Sequence, residues 1–343
     1  MIHDTPNPCR SEARLAIPFE ALDALLRHEA EEHDLTLRPG PDGGIWAEVE
    51  GGTLGLRHDG GLAVLSVRAP DPDWLHAICE SVDEHLAHHA PGTPAPVWTG
   101  PRPAGHLPPN FSLARVARIE RLTADFLRVR LEGRDLARLD RDMIHFRFAL
   151  PRADGQPTVW PRLNAAGRTE WPDRLHRPAY TISGIDADAG WLETDVFVHP
   201  GGRVCGFLDA ARPGAQVGLT GPGGGGIPRG EALAIGGDET AYPALARIIA
   251  AQAPTARIAA HLFGARPDYP FPTHPGLAIT HRPHAEAEVA AEIAAAPPVD
   301  QYWFATEKAR LKPLKRAILD TLAVPKARAH LAAYWNAAEP SDD

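Results

Sequence analysis

The sequence predicts three consecutive folding units: an α+β domain, an antiparallel six-stranded β-barrel, and an α/β domain built on a parallel sheet. Apolar residues follow mixed helix and strand periods before residue 90, and strand periods from Phe111 to Pro222. From Leu233 onward they follow a strand, helix, strand alternation. A proline-dense stretch from Ala90 to Pro109, with Pro91, Pro94, Pro96, Pro101, Pro103, Pro108 and Pro109, divides the first pattern from the second and reads as a stiff, unpacked linker. The glycines of Gly221-Pro222-Gly223-Gly224-Gly225-Gly226 divide the second from the third. Expected boundaries are 1–92 for a small α+β accessory domain, 93–110 for the linker, 111–228 for the barrel and 229–343 for the α/β domain with a C-terminal segment.

In the first unit, Leu22, Leu25, Leu26 and Glu29 mark one helix and Leu75, Ile78, Val82 and Leu86 a second. Strands are expected at Gly44 to Glu50, Thr53 to Arg57 and Leu62 to Arg68. The barrel strands are Leu113 to Ile119, Phe126 to Leu131, Met143 to Leu150, Tyr180 to Gly184, Leu192 to His199 and Gln216 to Thr220, with a long irregular stretch from Pro151 to Pro178. The last unit reads as strand Ala232 to Ile235, helix Pro243 to Gln252, strand Arg257 to Phe263 and strand Leu277 to Thr280. A helix over Ala285 to Ala295, strand Gln301 to Ala305 and a helix from Lys308 to Leu322 complete it.

Composition narrows the function. A formal charge of −9 over 343 residues supplies no concentrated basic face for nucleic acid or an anionic membrane. Cys9, Cys79 and Cys205 form no Cys-x-x-Cys pair, so iron–sulfur and structural zinc sites are not expected. The polar stretch Met1 to Arg14 has no signal-like apolar run and no window reaches membrane-span length, which sets the expectation of a cytoplasmic protein. His85, His88 and His89 share a helix face without a completing carboxylate or cysteine, and no metal site is expected. Lys308, Arg310, Lys312, Lys315 and Arg316 read as a solvated helix face.

Three segments carry chemistry. Gly236-Gly237-Asp238-Glu239-Thr240 turns a buried strand into a helix opening at Pro243, so free N–H groups and a positive dipole end meet any pyrophosphate there. The glycines at 221–226 match a dinucleotide pattern formally but lead into a strand, and read as a hinge. Arg177-Pro178-Ala179-Tyr180-Thr181-Ile182-Ser183 sets a flat ring beside a hydroxyl at a strand start. Tyr180 suits stacking on a flavin, Thr181 hydrogen bonding near its reactive N5, and Arg177 a phosphate. His199-Pro200-Gly201-Gly202-Arg203-Val204-Cys205 reads as a strand end, a glycine turn and a helix start, a second anion-binding geometry. Two such sites flanking one aromatic favour FAD or FMN.

Together these segments resemble the siderophore-interacting proteins, a branch of the ferredoxin-reductase-like flavoenzymes. The resemblance runs from about Phe111 to Pro340 and rests on Tyr180-Thr181, His199, Gly237-Asp238-Glu239-Thr240-Ala241 with Pro243, Glu307, and Tyr334-Trp335. Where the family usually has Arg two positions before the tyrosine this chain has Pro178, with Arg177 one step further away, and Ser183 stands where a second Arg is usual. The resemblance implies that the barrel binds FAD, that the α/β domain receives NADPH or NADH, and that Glu307 and Trp335 lie near the cofactors. It implies hydride transfer to flavin N5 and reduction of a ferric siderophore, with release of Fe2+. A ferredoxin donor or another acceptor is the alternative, and a flavin-free siderophore-binding protein is a third reading. The first 90 residues look like a small domain of unassigned function sometimes joined to such reductases.

Overall fold

The computed structural model describes residues 9–32, 35–40, 43–100, 104–152 and 156–338. Pro101 and Pro103 of the expected linker, and Pro340, lie outside the described residues. The chain divides into two units, residues 1–111 with 157–173, and residues 112–156 with 174–343.

In the first unit, β1 (Cys9–Leu15), α1 (Phe19–Glu32), β2 (Leu37–Pro39), β3 (Ile45–Val49), β4 (Gly52–Asp59), β5 (Leu62–Ala69) and α2 (Pro72–His89) follow in order. The strands form an antiparallel sheet ordered β1-β5-β4-β3-β2. Both helices lay their apolar stripes, Leu22 and Leu26 of α1 and Ile78, Cys79 and Leu86 of α2, onto Leu56, Leu65 and Val67 of the sheet. The carboxylate of Asp71 caps α2 by accepting from Trp74 N at 2.9 Å. Two readings are corrected in this unit. The proline-dense stretch is not unpacked: Trp98 is buried in this core, bridges to Ala13 and donates its indole N–H to Asp83 at 2.9 Å. The irregular stretch after residue 151 contributes the hairpin β9 (Arg162–Leu163) and β10 (Thr169–Glu170). There Trp171 donates to Glu80 at 3.0 Å, His76 and Thr169 share a hydrogen bond of 2.8 Å, and Phe111 packs against the rings of Trp160 and Trp171.

The second unit begins with antiparallel strands: β6 (Phe111–Arg121), β7 (Phe126–Gly133), β8 (His145–Pro151), β11 (Leu175–His176), β12 (Ala179–Thr181), β13 (Gly184–Asp186), β14 (Trp191–Phe197) and β15 (Gln216–Gly223). Their order is β11-β8-β15-β6-β7-β14-β13, with β12 also on β8. Residues 179–186 therefore pair on both sides: Ile182 N donates to Ile144 O at 2.9 Å and Ser183 N to Glu193 O at 2.8 Å. The inward side chains of alternate positions, among them Val116, Val129, Leu131, Phe146, Phe148, Leu192, Val217 and Leu219, make one buried cluster.

After α3 (Arg203–Ala210) and β15 the chain enters β16 (Ala232–Gly237), α4 (Tyr242–Ala250), β17 (Arg257–Leu262), β18 (Leu277–His281), α5 (Glu286–Ala295), β19 (Gln301–Glu307), α6 (Leu311–Lys315) and β20 (Ala329–Trp335). All five strands are parallel, in the order β18-β17-β16-β19-β20. Nearly every residue of β16 and β19 is buried, as expected for central strands covered on both faces. The expected last helix is shorter as an α-helix, its second half from Arg316 to Thr321 being π-wound. No helix links β17 to β18. Tyr269 and Phe271 of that connection pack instead on Tyr242, and Phe126 of β7 joins the same core, so both sheets of this unit share apolar contacts. No helix among the described residues is long and apolar enough to cross a membrane.

Candidate functional site

The parallel sheet changes direction of winding between β16 and β19, whose crossovers leave to opposite sides. In open α/β sheets the crevice outside the carboxyl ends of such strands receives ligands. Gly237 ends β16 there, and a Cβ on it would come 2.4 Å from Ala305 O on β19, so the close packing of the two strand ends requires glycine. Asp238 follows, 3% exposed, and its carboxylate turns onto the protein: Oδ1 accepts from Thr240 N at 3.1 Å and from Thr240 Oγ1 at 2.5 Å, and Oδ2 accepts from Trp335 Nε1 at 2.8 Å. Glu239 accepts from Arg266 N at 3.1 Å. Glu307 ends β19; its Oε2 accepts from Ala309 N at 2.7 Å and Arg310 N at 3.0 Å, its Oε1 from Ala337 N at 3.2 Å. Burial works against ionisation of Glu307, but these three donors prevail and hold its carboxyl below the usual value.

The flavin strand predicted from sequence lies alongside β8, with Tyr180 opposite Phe146 and Thr181 opposite His145. Tyr180 is half-buried, its ring edge-on to Phe148 at 5.4 Å. Thr181 is 4% exposed, and its carbonyl accepts from Thr194 Oγ1 at 2.7 Å. Ile182 is fully buried and its carbonyl accepts from Arg247 of α4 at 2.9 Å, which ties the strand to the parallel-sheet half. Ser183 is partly buried. Arg177 is exposed, and its carbonyl accepts from Arg147 at 3.3 Å.

His199, Gly202, Arg203, Val204 and Cys205 come together at the start of α3. Gly202 is the N-cap and offers no side-chain cap to the first turn. The first helical bond is Gly206 N to Gly202 O at 2.9 Å, so the preceding amides of Arg203, Val204 and Cys205 fall in the turn that lacks helical partners. An open cavity of about 480 Å³ borders this turn, lined by His199, Gly202, Cys205 and Asp209 among others. An uncapped helix start with glycine beside it fits a phosphate-bearing cofactor.

Sequence reading missed what joins these parts. Tyr334 donates to Nε2 of His145 at 2.6 Å, and the two residues stand 189 positions apart. Burial drives His145 down to about 4, aided by His330, Arg247 and Arg147, so at neutral pH the ring is uncharged and Nε2 can accept. Gly224, at φ +86°, is required here, since a Cβ would fall 1.9 Å from His145 Nδ1. His145 is the register partner of Thr181, and Trp335, next to Tyr334, reaches Asp238. Two adjacent residues of β20 thus link the paired strands β8 and β12 to the switch point.

Residues 115–226 match the family model of a siderophore-interacting FAD-binding domain, and residues 231–338 that of a siderophore-interacting protein. The chain belongs to the siderophore-interacting protein family. Solved structures of similar fold include a siderophore utilization protein from T. fusca, at 24% identity over 71% of this chain and 99% of that one, with a TM-score of 0.59. A siderophore-interacting protein from Aeromonas hydrophila has 21% identity over 68% and 94%, with a TM-score of 0.57. One from Acinetobacter baumannii has 17% identity over 67% and 92%, with a TM-score of 0.54. No protein of curated function matches. The family's match on 115–226 makes the antiparallel-sheet half of this unit its FAD-binding domain.

Proposed function

We propose that this protein is an FAD-dependent reductase that takes electrons from NADPH or NADH and delivers them to a ferric siderophore, releasing Fe2+. The observation that supports this reading is the span of β20 from His145, beside Thr181, to Asp238 at the switch point, which would tie a flavin held on the one side to a nucleotide held on the other. Tyr180 and Thr181 would hold the isoalloxazine, with Ile182 and Ser183 continuing that strand. The amides of Arg203, Val204 and Cys205, with Gly202 and His199, would receive the phosphates, and Arg177 would add an exposed positive charge. Gly237, Asp238, Glu239, Thr240, Glu307 and Trp335 would shape the nicotinamide crevice.

Bound there, FAD supplies hydride acceptance and single-electron release. The protein's own part is to orient and to exclude water. Thr181 is buried, and Thr194 holds its carbonyl and so the backbone that bears its hydroxyl. Arg247 restrains the same strand through the Ile182 carbonyl. Neutral His145 keeps a second positive charge away from this strand. No acid, base or metal of the protein is required, because reduction of hard Fe3+ to Fe2+ itself weakens an all-oxygen chelate. Titration with FAD, followed by quenching of flavin fluorescence, tests the binding half. Saturation near one equivalent, with weaker binding by Tyr180→Ala, is expected; absence of binding would remove the mechanism.

A further inference from the structure

Two buried residues at the crevice, Glu286 and Thr306, have no part in that account. Glu286 opens α5 and is 3% exposed, and Thr306 on β19 is fully buried. Thr306 Oγ1 stands 3.0 Å from Asp238 Oδ2 and 3.2 Å from Glu286 Oε1. A hydroxyl owns one proton and can donate to only one of two carboxylates. The surroundings of Asp238 decide which. It already accepts from Thr240 N, Thr240 Oγ1 and Trp335 Nε1, all of them donors to it, and it is the nearer of the two carboxyls to Thr306. Thr306 therefore donates to Asp238, and its oxygen is left to accept. The only way for a carboxyl to donate to it is to carry a proton.

We propose that Glu286 is a protonated positioning residue which, through Thr306 and Asp238, keeps Trp335 docked at the carboxyl ends of β16 and β19. Burial pushes the Glu286 carboxyl upward, in the direction this requires, while its own backbone N–H, Thr306, Arg310 and His284 pull the other way. Across Thr306 lies the Asp238 carboxylate, which Tyr334 of β20 and Tyr242 of α4 also face. When Glu286 ionises, two buried carboxylates compete for one hydroxyl proton, and water entering from the C-terminal side relieves them by displacing Trp335. Since the docked arrangement raises the carboxyl's affinity for its proton, docking is strongest at low pH and is lost as pH rises through the raised value.

The site assignment rests on the structure alone; its consequence for the nicotinamide donor rests on the reading under Proposed function. Two readouts keep these apart. The first is hydrogen exchange of the Trp335 indole N–H, assigned by its absence in Trp335→Phe, followed by NMR as pH rises from about 4.3, the ordinary glutamate value. Exchange should accelerate with pH by about tenfold more in the wild type than in Glu286→Gln, whose amide donates to Thr306 at every pH. Thr306→Val, which breaks the relay while keeping its shape, should exchange fast throughout. A wild-type profile that Glu286→Gln leaves unaltered would overturn the proposal, as would slow exchange in Thr306→Val. The second readout is KM for NADPH or NADH, expected to rise with pH in the wild type, as the crevice loses Trp335, and to be flat in Glu286→Gln. A flat wild-type KM beside the expected exchange profile would overturn the link to the donor and leave the relay standing.

Discussion

Replacing Asp238 with asparagine removes a charge and one acceptor from a buried centre while keeping its shape. The amide oxygen can stay on Thr240, whose N and Oγ1 donate at 3.1 and 2.5 Å. The amide nitrogen then faces Trp335 Nε1, which sits 2.8 Å from Oδ2 in the wild type and can only donate. A hydrogen bond to a charged acceptor contributes about 1.5 to 3 kcal/mol, and a stranded buried donor costs a similar amount, the two being alternative descriptions of one loss. The docked C-terminal strand should therefore weaken by about 2 kcal/mol, or roughly thirtyfold in its local opening equilibrium. Amide exchange by mass spectrometry reads this in the peptide spanning residues 330–338, which should exchange faster in Asp238→Asn while residues 126–131 of β7, in the antiparallel sheet, keep their rate. Equal exchange in both proteins would show that Asp238 does not anchor this strand and would undo the reasoning from its contacts.

Other consequences follow from the same structure. His145 is held at about 4 against an ordinary value near 6.5, so its unfolded form binds a proton at pH values where the folded form does not. Its contribution is present above pH ~6.5 and is lost as pH falls toward 4, by about 3 kcal/mol at most; urea unfolding of wild type and His145→Gln should converge on acidification, and parallel pH curves would refute this. Asp195, fully buried, accepts from Arg128 at two distances of 2.8 Å and from Tyr269 at 2.6 Å. Asp195→Ala leaves a partly buried guanidinium and a buried phenol without it, and thermal unfolding should show a loss of about 3 kcal/mol, the lower end for a broken buried pair because Arg128 is partly exposed; a loss under about 1 kcal/mol would contradict it. Removing residues 1–92 takes away His76 and Glu80, the partners of Thr169 and Trp171. Limited proteolysis should then cut within 157–173, and an uncut segment would show that it holds its shape without them.

Much of the fold was legible because local pattern and tertiary role coincide. The run from Leu233 to Gly237, all apolar or glycine, can only be a strand covered on both faces, and the turn at Asp238 follows from the glycines before it. The strands of the antiparallel sheet betrayed themselves by alternation, as in Leu127, Val129 and Leu131. What failed to show were elements whose partners are distant. Strand β1 buries only Ser11, Ala13 and Leu15, too little apolar surface to stand out from a polar tail, and its pairing with β5 is set by β5. Trp98 sits among prolines, and nothing nearby announces that Asp83 and the first sheet will hold it. The segment 157–173 has three apolar anchors, Trp160, Leu163 and Trp171, but no period. At the candidate site the motif residues were visible as a motif, while their contacts were not: Asp238 and Glu307 accept from the protein's own donors, and His145 has no sequence neighbour that points to Tyr334.

The central claim is electron transfer from a nicotinamide nucleotide through bound FAD to a chelated Fe3+. Its most direct test is an anaerobic titration in which the FAD-loaded protein is bleached with NADPH or NADH, then mixed with a ferric siderophore in the presence of a ferrous-specific chromogenic chelator. The account predicts bleaching by the nucleotide, return of the oxidised flavin spectrum on adding the siderophore, and two ferrous complexes for each flavin reoxidised. A flavin that the nucleotide bleaches but the ferric siderophore cannot reoxidise, with no ferrous complex formed, would contradict it.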